Sequence, residues 1–227
     1  MDLIEHYNSL YTDSLLKIES DEVTTDENIV SSDDNRRGMT LILRPDLATK
    51  NQFQRFISDM KKIDPDQYYQ PVSDIHITVL AIISCYKGFE LNSICISDYV
   101  NLIEKSILSD PSFSMSFKGV TLSPSCVMIQ GFNPDNQLNI VRDHLRTGFR
   151  DSEMQQSIDV RYAIRTAHST IIRFRKPLAN KKEYLETIKN YRQKDFGTFT
   201  VNSIELVCND WYHRNKFVEI LHKFELK

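Results

Sequence analysis

The sequence lacks most of the features that would assign it to a specialised class. It contains only four cysteines, one tryptophan and six glycines in 227 residues. No apolar run approaches the roughly 20 residues that a helix needs to cross a bilayer. The first residues include acids where a secretory leader would carry positive charge. We therefore expect a cytoplasmic protein, or a nuclear one, that makes no membrane contact.

The cysteines are spaced far apart and form no C-x-x-C pair; they are Cys85, Cys95, Cys126 and Cys208. Three of them stand in apolar runs, where a thiol behaves as a small hydrophobe. The sparse cysteine content predicts reduced, structural thiols. Because histidine and cysteine show no ligand spacing, we expect no metal site, and nothing in the sequence calls for a cofactor.

The charge is also small, at −3, from 28 basic and 31 acidic residues. A protein that coats long nucleic acids depends on dense phosphate neutralisation, so this balance argues against a long duplex as partner. A nucleotide or a short RNA remains compatible with it. The acidic excess is local, because residues 19–34 hold seven carboxylates and no base.

The first 37 residues differ in character from the rest of the chain. Apolar residues recur at helical spacing over 3–18, which predicts an amphipathic helix. Residues 19–36 are acidic and rich in Ser, Thr and Asn, which is typical of a flexible or loosely docked connection. This N-terminal part is a candidate for binding a partner protein or covering a site. The regular domain is expected over 38–227.

Beyond Gly38 the pattern alternates between strands and helices. Several strands are adjacent in sequence, which indicates an α+β protein with mainly antiparallel sheets. The predicted strands are 39–43, 75–82, 112–119, 124–131, 168–174, 198–208 and 216–226, and the predicted helices are 46–63, 97–109, 135–149 and 180–193.

Two histidines are each followed, two residues later, by a threonine. The motifs are His76-Ile77-Thr78 and His168-Ser169-Thr170, and both open apolar strands. Side chains alternate between the faces of a strand, so each motif presents an imidazole and a hydroxyl on one face. Ile77 should point to the packed face, which suits Ser169 less well. One such motif is a weak signal, and sheet histidines with satisfied hydrogen bonds are the alternative.

This arrangement suits chemistry at a phosphodiester. In-line displacement needs a base for the attacking oxygen and an acid for the leaving oxygen. Two histidines can supply both near neutral pH, because their ordinary pKa is about 6.5. The hydroxyls of Thr78 and Thr170 can donate hydrogen bonds to the nonbridging oxygens as charge develops. We therefore predict His76, Thr78, His168 and Thr170 as catalytic residues that act without a metal.

The paired motifs resemble those of the 2H phosphoesterase superfamily, which carries two H-Φ-[ST]-Φ motifs (Φ apolar). That superfamily includes 2′–5′ RNA ligase-like proteins, cyclic phosphodiesterases and enzymes that degrade nucleotide second messengers. The first motif fits fully, and the second departs only at Ser169. The resemblance covers Gly38 to the C-terminus. It implies a bilobal fold in which two antiparallel sheets form a cleft, helices lie outside, and each lobe supplies one motif.

Other residues are candidates for substrate binding. Arg165 and Arg173 flank the second motif, although alternation predicts that Arg173 points away from His168, and solvent exposure is the alternative for both. Tyr162, Trp211 and Tyr212 are candidates for stacking on a base, with core or edge packing as the alternative. Asp74 is expected to be a turn residue. The remaining histidines, His6, His144, His213 and His222, receive no catalytic role.

Two hypotheses follow. The first is an enzyme that cleaves a nucleotide or RNA phosphodiester, with a 2′,3′-cyclic phosphate, a 2′–5′ linkage or a cyclic oligonucleotide as candidate substrates. The second is a module that binds RNA or a nucleotide in the same cleft without turnover.

Overall fold

A computed structural model describes residues 2–227 as five helices and nine strands. The helices are α1 (Leu3–Glu19), α2 (Leu47–Ile63), α3 (Ile96–Ile107), α4 (Gln137–Arg150) and α5 (Lys181–Asn190). The strands are β1 (Arg37–Leu43), β2 (Tyr68–Tyr69), β3 (Ile77–Tyr86), β4 (Phe113–Ser123), β5 (Cys126–Phe132), β6 (Ser169–Arg173), β7 (Asp195–Val201), β8 (Ser203–Asp210) and β9 (Glu219–Glu225).

The strands form two sheets with the helices around them. One sheet has the order β3-β1-β8-β9, and the other has the order β2-β6-β5-β4-β7. Each strand pairing described is antiparallel. Helices α3 and α4 pack together beside the first sheet, whereas α1 and α2 pack against the second and α5 packs against α2. The α+β class and the two antiparallel sheets are thus confirmed.

The predicted strand at 198–208 is wrong in one respect, because the chain there forms two strands. β7 ends at Val201 and pairs with β4, whereas β8 begins at Ser203 and pairs with β1. The chain therefore crosses from one sheet to the other around Asn202. The apolar alternation changes phase at this point, from Phe199 and Val201 to Ile204 and Leu206, and this break marks the crossing.

Helix α2 joins the second sheet through aromatic contacts. The carboxylate of Asp46 caps its first turn by accepting a 2.8 Å hydrogen bond from the Thr49 amide. Phe53 then meets Phe117 of β4 and Phe196 of β7 edge-on, at ring-centroid distances of 5.2 and 5.7 Å. These rings are buried, and edge-to-face pairs add specificity to the apolar burial.

Helix α1 lies across β4 and reaches the residue that precedes His168. The buried Tyr7 hydroxyl donates to the Gly131 carbonyl, and the Ala167 amide donates back to that hydroxyl, both at 3.3 Å. Gly131 has no side chain for a steric reason, because a Cβ there would collide with the Ala167 carbonyl. The N-terminal helix therefore helps to position the second motif.

Residues 24–36, which we call the strap, contact the β4–β5 turn, the end of β6 and the β8–β9 loop. The Thr24 amide donates to Pro124, and the Asp26 amide donates to Phe174 at 2.8 Å. Ile29 is only 1% exposed, and its carbonyl accepts from Arg214. This differs from the flexible or loosely docked connection expected for 19–36. Acidic composition suggested disorder, but the apolar residue and the specific hydrogen bonds hold the strap in place.

None of the helices described over residues 2–227 combines the length and the apolar character needed to cross a membrane.

The strap offers a direct test of its packing. Replacing Ile29 with Ala should lower the free energy of unfolding by about 2–5 kcal/mol, because it leaves a cavity under the strap. The neighbouring Val30 is 59% exposed, so Val30→Ala should change stability by no more than about 0.5 kcal/mol. Urea denaturation of both variants measures the difference, and equal effects would contradict a packed strap.

Candidate active site

The two motifs come together at one wall of a cleft. His76 directly precedes β3, the edge strand of the first sheet, and His168 directly precedes β6 of the second sheet. Both histidines and both threonines line a cavity of about 340 Å³. Ile77 is fully buried on the opposite face, as alternation predicted. Neither threonine hydroxyl has a hydrogen-bond partner among the described residues, so both are available to a bound molecule.

Ser169, the residue that departs from the family pattern, joins the motifs directly. Its side chain is fully buried, and its hydroxyl donates a 2.9 Å hydrogen bond to the carbonyl of His76. An apolar residue at this position would leave that carbonyl without this donor. The departure therefore has a structural reason, because the hydroxyl links the backbone of one motif to the other.

A buried arginine strengthens the same junction. The guanidinium of Arg142, on α4, donates to the carbonyls of Thr78, Val79 and Thr166 at 2.8–3.0 Å. The side chain is fully buried and has no carboxylate partner among the described residues. Burial lowers the pKa of Arg142 to about 10, so the group stays cationic at neutral pH. One charged group thus holds the backbones of both motif regions.

Each catalytic candidate is oriented through its Nδ1 atom. The Nδ1 of His76 lies 2.7 Å from the carbonyl of Asp74, which can only accept, so Nδ1 carries the proton and Nε2 is the free nitrogen. The Nδ1 of His168 lies 2.8 Å from the hydroxyl of Thr166, which can donate or accept. Asp74 acts through its backbone within a short 3-10 turn, which agrees with its expected place in a turn.

The cleft keeps both histidines neutral in the free protein. Burial lowers the pKa of His76 to about 4, and the nearby Arg44 and Arg173 act in the same direction. Burial likewise lowers the pKa of His168 to about 4, with Arg142 and His76 as the next causes. An anion bound between them would oppose these effects and favour protonation of one ring.

Sequence reasoning missed His213. Its ring stacks on that of His76, with centroids 4.1 Å apart and planes 31° apart, and it lines the same cleft. Burial, followed by the charge of His76, lowers its pKa well below the ordinary value. No partner spacing marked it, because it lies 137 residues beyond His76 (213 minus 76) on the β8–β9 loop (211–218). Only an unusual Asn-Asp-Trp-Tyr-His run signalled that loop.

Arg173 faces the cleft, contrary to the alternation argument. Val127 pairs with Ile172 and Met128 pairs with Thr170, so Ile171 is an extra residue that forms a β-bulge. Ile171 and Ile172 are both buried, and Arg173 consequently returns to the face of Thr170. Its guanidinium has no ion-pair partner among residues 2–227, and its buried Nε has no acceptor there. An unpaired cation thus stands beside the second motif.

The aromatic candidates divide between the cleft mouth and the core. Tyr162 is 69% exposed at the mouth, and Trp211 lines the cleft with the guanidinium groups of Arg36 and Arg161 at 4.7 and 4.5 Å from its ring. Tyr212 does not reach the cleft: it is 1% exposed and its hydroxyl donates to Asp26. Arg165 is exposed and lies outside the cleft lining.

The remaining histidines and the cysteines lie elsewhere. His144 contacts Asp110 at 3.2 Å, and His222 lies beside Phe224 at an exposed position of β9. The four cysteines are free thiols, of which Cys85 and Cys126 line the cleft. Within residues 2–227, no group of three or more His, Cys, Asp or Glu side chains is arranged to hold a metal ion.

Known structures share this architecture. TT0787 of Thermus thermophilus superposes with a TM-score of 0.57 at 16% identity, over 84% of this chain and 97% of its own. LigT of E. coli, crystallised with 3′-AMP, gives 0.54 at 11% identity over 85% and 99%. ATU0111 of Agrobacterium tumefaciens gives 0.55 at 15% identity over 92% and 98%. No protein-family model and no curated protein matches the sequence.

The chain has the LigT-like fold. At these identities the superposition establishes the architecture, which is the one that the paired motifs implied. The match covers nearly the whole length of the similar structures, at 97% and 99% of their chains.

The lowered histidine pKa values predict a stability that falls in mild acid. Between pH 6.5 and about 4 the unfolded chain binds protons that folded His76 and His168 exclude, so lower pH favours unfolding. The lowered pKa of His213 acts in the same direction. Each histidine contributes a slope of up to about 1.4 kcal/mol per pH unit in that window. Urea denaturation between about pH 7.5 and 4.5 measures it, and a double His76→Gln, His168→Gln variant should give a flatter profile. An unchanged slope in that variant would contradict the assignment.

Proposed function

We propose that the protein is a phosphodiesterase that acts on a nucleotide or short RNA by general acid–base catalysis with His76 and His168. The observation that carries the proposal is the junction of the two motifs, where Ser169 and Arg142 bring two imidazole–hydroxyl pairs to one cleft. Phosphodiester cleavage needs two proton-transfer groups and donors for the nonbridging oxygens. The four side chains supply this set.

The protonation states fit this role once an anionic substrate is bound. Neutral His76 presents an unprotonated Nε2, which can take the proton of an attacking hydroxyl or water. The phosphodiester raises the proton affinity of the facing rings, so that His168 can hold the proton that the leaving oxygen requires. The roles exchange in the reverse direction. Thr78 and Thr170 then donate to the phosphoryl oxygens as negative charge grows.

The composition of the cleft supports a small anionic ligand. Arg173 offers an unpaired guanidinium beside the second motif, while Asp159, a carboxylate of the lining, is engaged by Arg146 at 2.6 Å. Tyr162 offers an exposed aromatic face at the mouth, where a base can stack, and Trp211 lines the cleft with the guanidinium groups of Arg36 and Arg161 over its ring. The similar LigT structure contains 3′-AMP. A 2′,3′-cyclic phosphate, a 2′–5′ linkage and a cyclic oligonucleotide all contain a phosphodiester, which is the group that the proposed chemistry requires.

The first test is product analysis in the presence of EDTA. A panel of 2′,3′-cyclic nucleotides, 2′–5′ and 3′–5′ dinucleotides and cyclic oligonucleotides is incubated with the protein and separated by chromatography. We expect turnover that survives EDTA. His76→Ala and His168→Ala should each lower it by roughly 10²–10⁴-fold, because each removes a proton-transfer group.

The control is His222→Ala, which removes an exposed histidine outside the cleft and should leave the rate unchanged. Turnover abolished by EDTA would contradict the proposed mechanism. Nucleotide binding without turnover on any substrate would instead support a binding module.

Arg173 provides a second test, directed at substrate binding. Arg173→Gln should raise KM for a phosphodiester by roughly tenfold or more, because a charged hydrogen bond to phosphate contributes about 1.5–3 kcal/mol. Arg175→Gln is the matched control: Arg175 lies two residues away, outside the cleft lining, and its Nε donates to the Asp66 carbonyl. Steady-state kinetics measure KM for both variants. Equal KM values in Arg173→Gln and Arg175→Gln would contradict the binding of phosphate by Arg173.

A further inference from the structure

The environment of His213 is costly in two ways that ordinary packing does not explain. Its backbone adopts the left-handed conformation with φ of 54°, which is uncommon for a residue with a side chain. Its Nδ1 is buried and has no hydrogen-bond partner among residues 2–227. Conformational strain and an unsatisfied buried donor both lower stability, and such features concentrate at functional sites.

The ring of His213 is oriented by Asn209. The Asn209 amide nitrogen lies 2.9 Å from the Asp210 carbonyl, to which it can only donate, and 3.1 Å from Nε2 of His213. Nε2 therefore accepts, and neutral His213 carries its proton on Nδ1. This arrangement holds the ring against that of His76, with centroids 4.1 Å apart and planes tilted by 31°.

The strap holds the loop that carries His213. The Tyr212 hydroxyl donates to the carboxylate of Asp26 at 2.8–2.9 Å, and Arg36 bridges Asp34 to the same hydroxyl. Arg214, on the other side of His213, donates to Asp210 and to the Ile29 carbonyl. Both neighbours of His213 are thus bound to the strap, whereas His213 itself faces the cleft.

We infer that His213 is a positioning residue for His76, and that the strap fixes His213 by holding Tyr212 and Arg214. The inference rests on the proposed function, since it assigns a role within the same site. The stacked ring covers one face of His76, excludes water from it and limits its rotation about the Asp74 hydrogen bond. The strap thereby becomes part of the active site without touching the substrate.

Several charged groups surround the rings of His76 and His213. The test has to separate their effects on the pKa of His76 from the effect of His213. Arg44 and Arg173 both lower the pKa of His76, although Arg44 is itself paired with Glu205 at 2.9 Å. His168 stands on the adjoining strand of the second sheet. Substitutions at 213 leave all of these groups in place, so a change in His76 titration reports the stacked ring.

The experiment follows the His76 ring by NMR pH titration of histidine-labelled protein, with its signal assigned by a His76→Gln variant. In His213→Ala we expect water to enter and the His76 titration to move up towards about pH 6.5. The acid limb of kcat/KM should move with it, and kcat should fall roughly ten- to a hundredfold. His213→Phe retains a ring beside His76, so its His76 titration should lie close to that of the wild-type protein. The control His222→Ala should change neither the His76 titration nor kcat.

An unchanged His76 titration in folded His213→Ala would overturn the positioning role. The titration does not require activity. If the wild-type protein shows no turnover, the proposed function is contradicted, and the His76 titration still tests the role of His213.

The strap is tested by Tyr212→Phe and Asp26→Ala, which remove the donor and the acceptor of the hydrogen bond between the strap and the loop. We expect a smaller upward shift of the His76 titration in both variants, with folding checked by circular dichroism. Tyr212→Phe keeps the buried ring, so it separates the loss of the hydrogen bond from the loss of packing. If neither variant shifts the His76 or His213 signals, the strap does not hold the loop in the manner inferred.

Discussion

The guanidinium of Arg142 lies at the meeting point of the two sheets, where it donates to three carbonyls on both sides of the cleft. A charge buried without a carboxylate partner is unfavourable unless its hydrogen bonds are satisfied, and here backbone oxygens satisfy them. The Ser169 hydroxyl adds one more hydrogen bond across the same junction of the two sheets. The relative position of the two motifs, and with it any two-histidine chemistry, depends on this small set of contacts.

Charged groups at this junction also lower the pKa values of the histidines in the cleft. Arg142, Arg173 and Arg44 all lie near the histidines and act with burial to keep the imidazoles unprotonated. Arg142 and Arg173 have no carboxylate partner among the described residues, so the cleft is prepared for an anion, and binding that anion changes which proton-transfer state is favoured. Under the proposed function, one local charge distribution therefore couples substrate binding to protonation of the acid.

The N-terminal residues serve this site from outside. α1 places a tyrosine hydroxyl against Ala167 beside the second motif, and the strap binds the β8–β9 loop beside the first. Both contacts act on residues adjacent to the candidate catalytic groups. Residues 3–36 therefore belong to the architecture of the cleft, although they lie before the segment in which the paired motifs occur.

Much of the fold and the centre of the site could be predicted locally. Periodicity placed the helices and most strands, because burying one face constrains neighbouring residues. The two His-x-Thr motifs indicated the four central side chains, since alternation holds over three residues of a strand. Alternation failed over the six residues from His168 to Arg173. The bulge at Ile171 depends on how β6 pairs with β5, and it turns Arg173 into the cleft.

The sequence by itself determined the α+β class, the two motifs and the kind of chemistry they suit, because these depend on residue type and short spacing. Only the tertiary structure decided that His213 joins His76, that Tyr212 leaves the cleft for Asp26, and that an acidic segment is packed. Each of these depends on contacts between residues far apart in the chain, which no local pattern records.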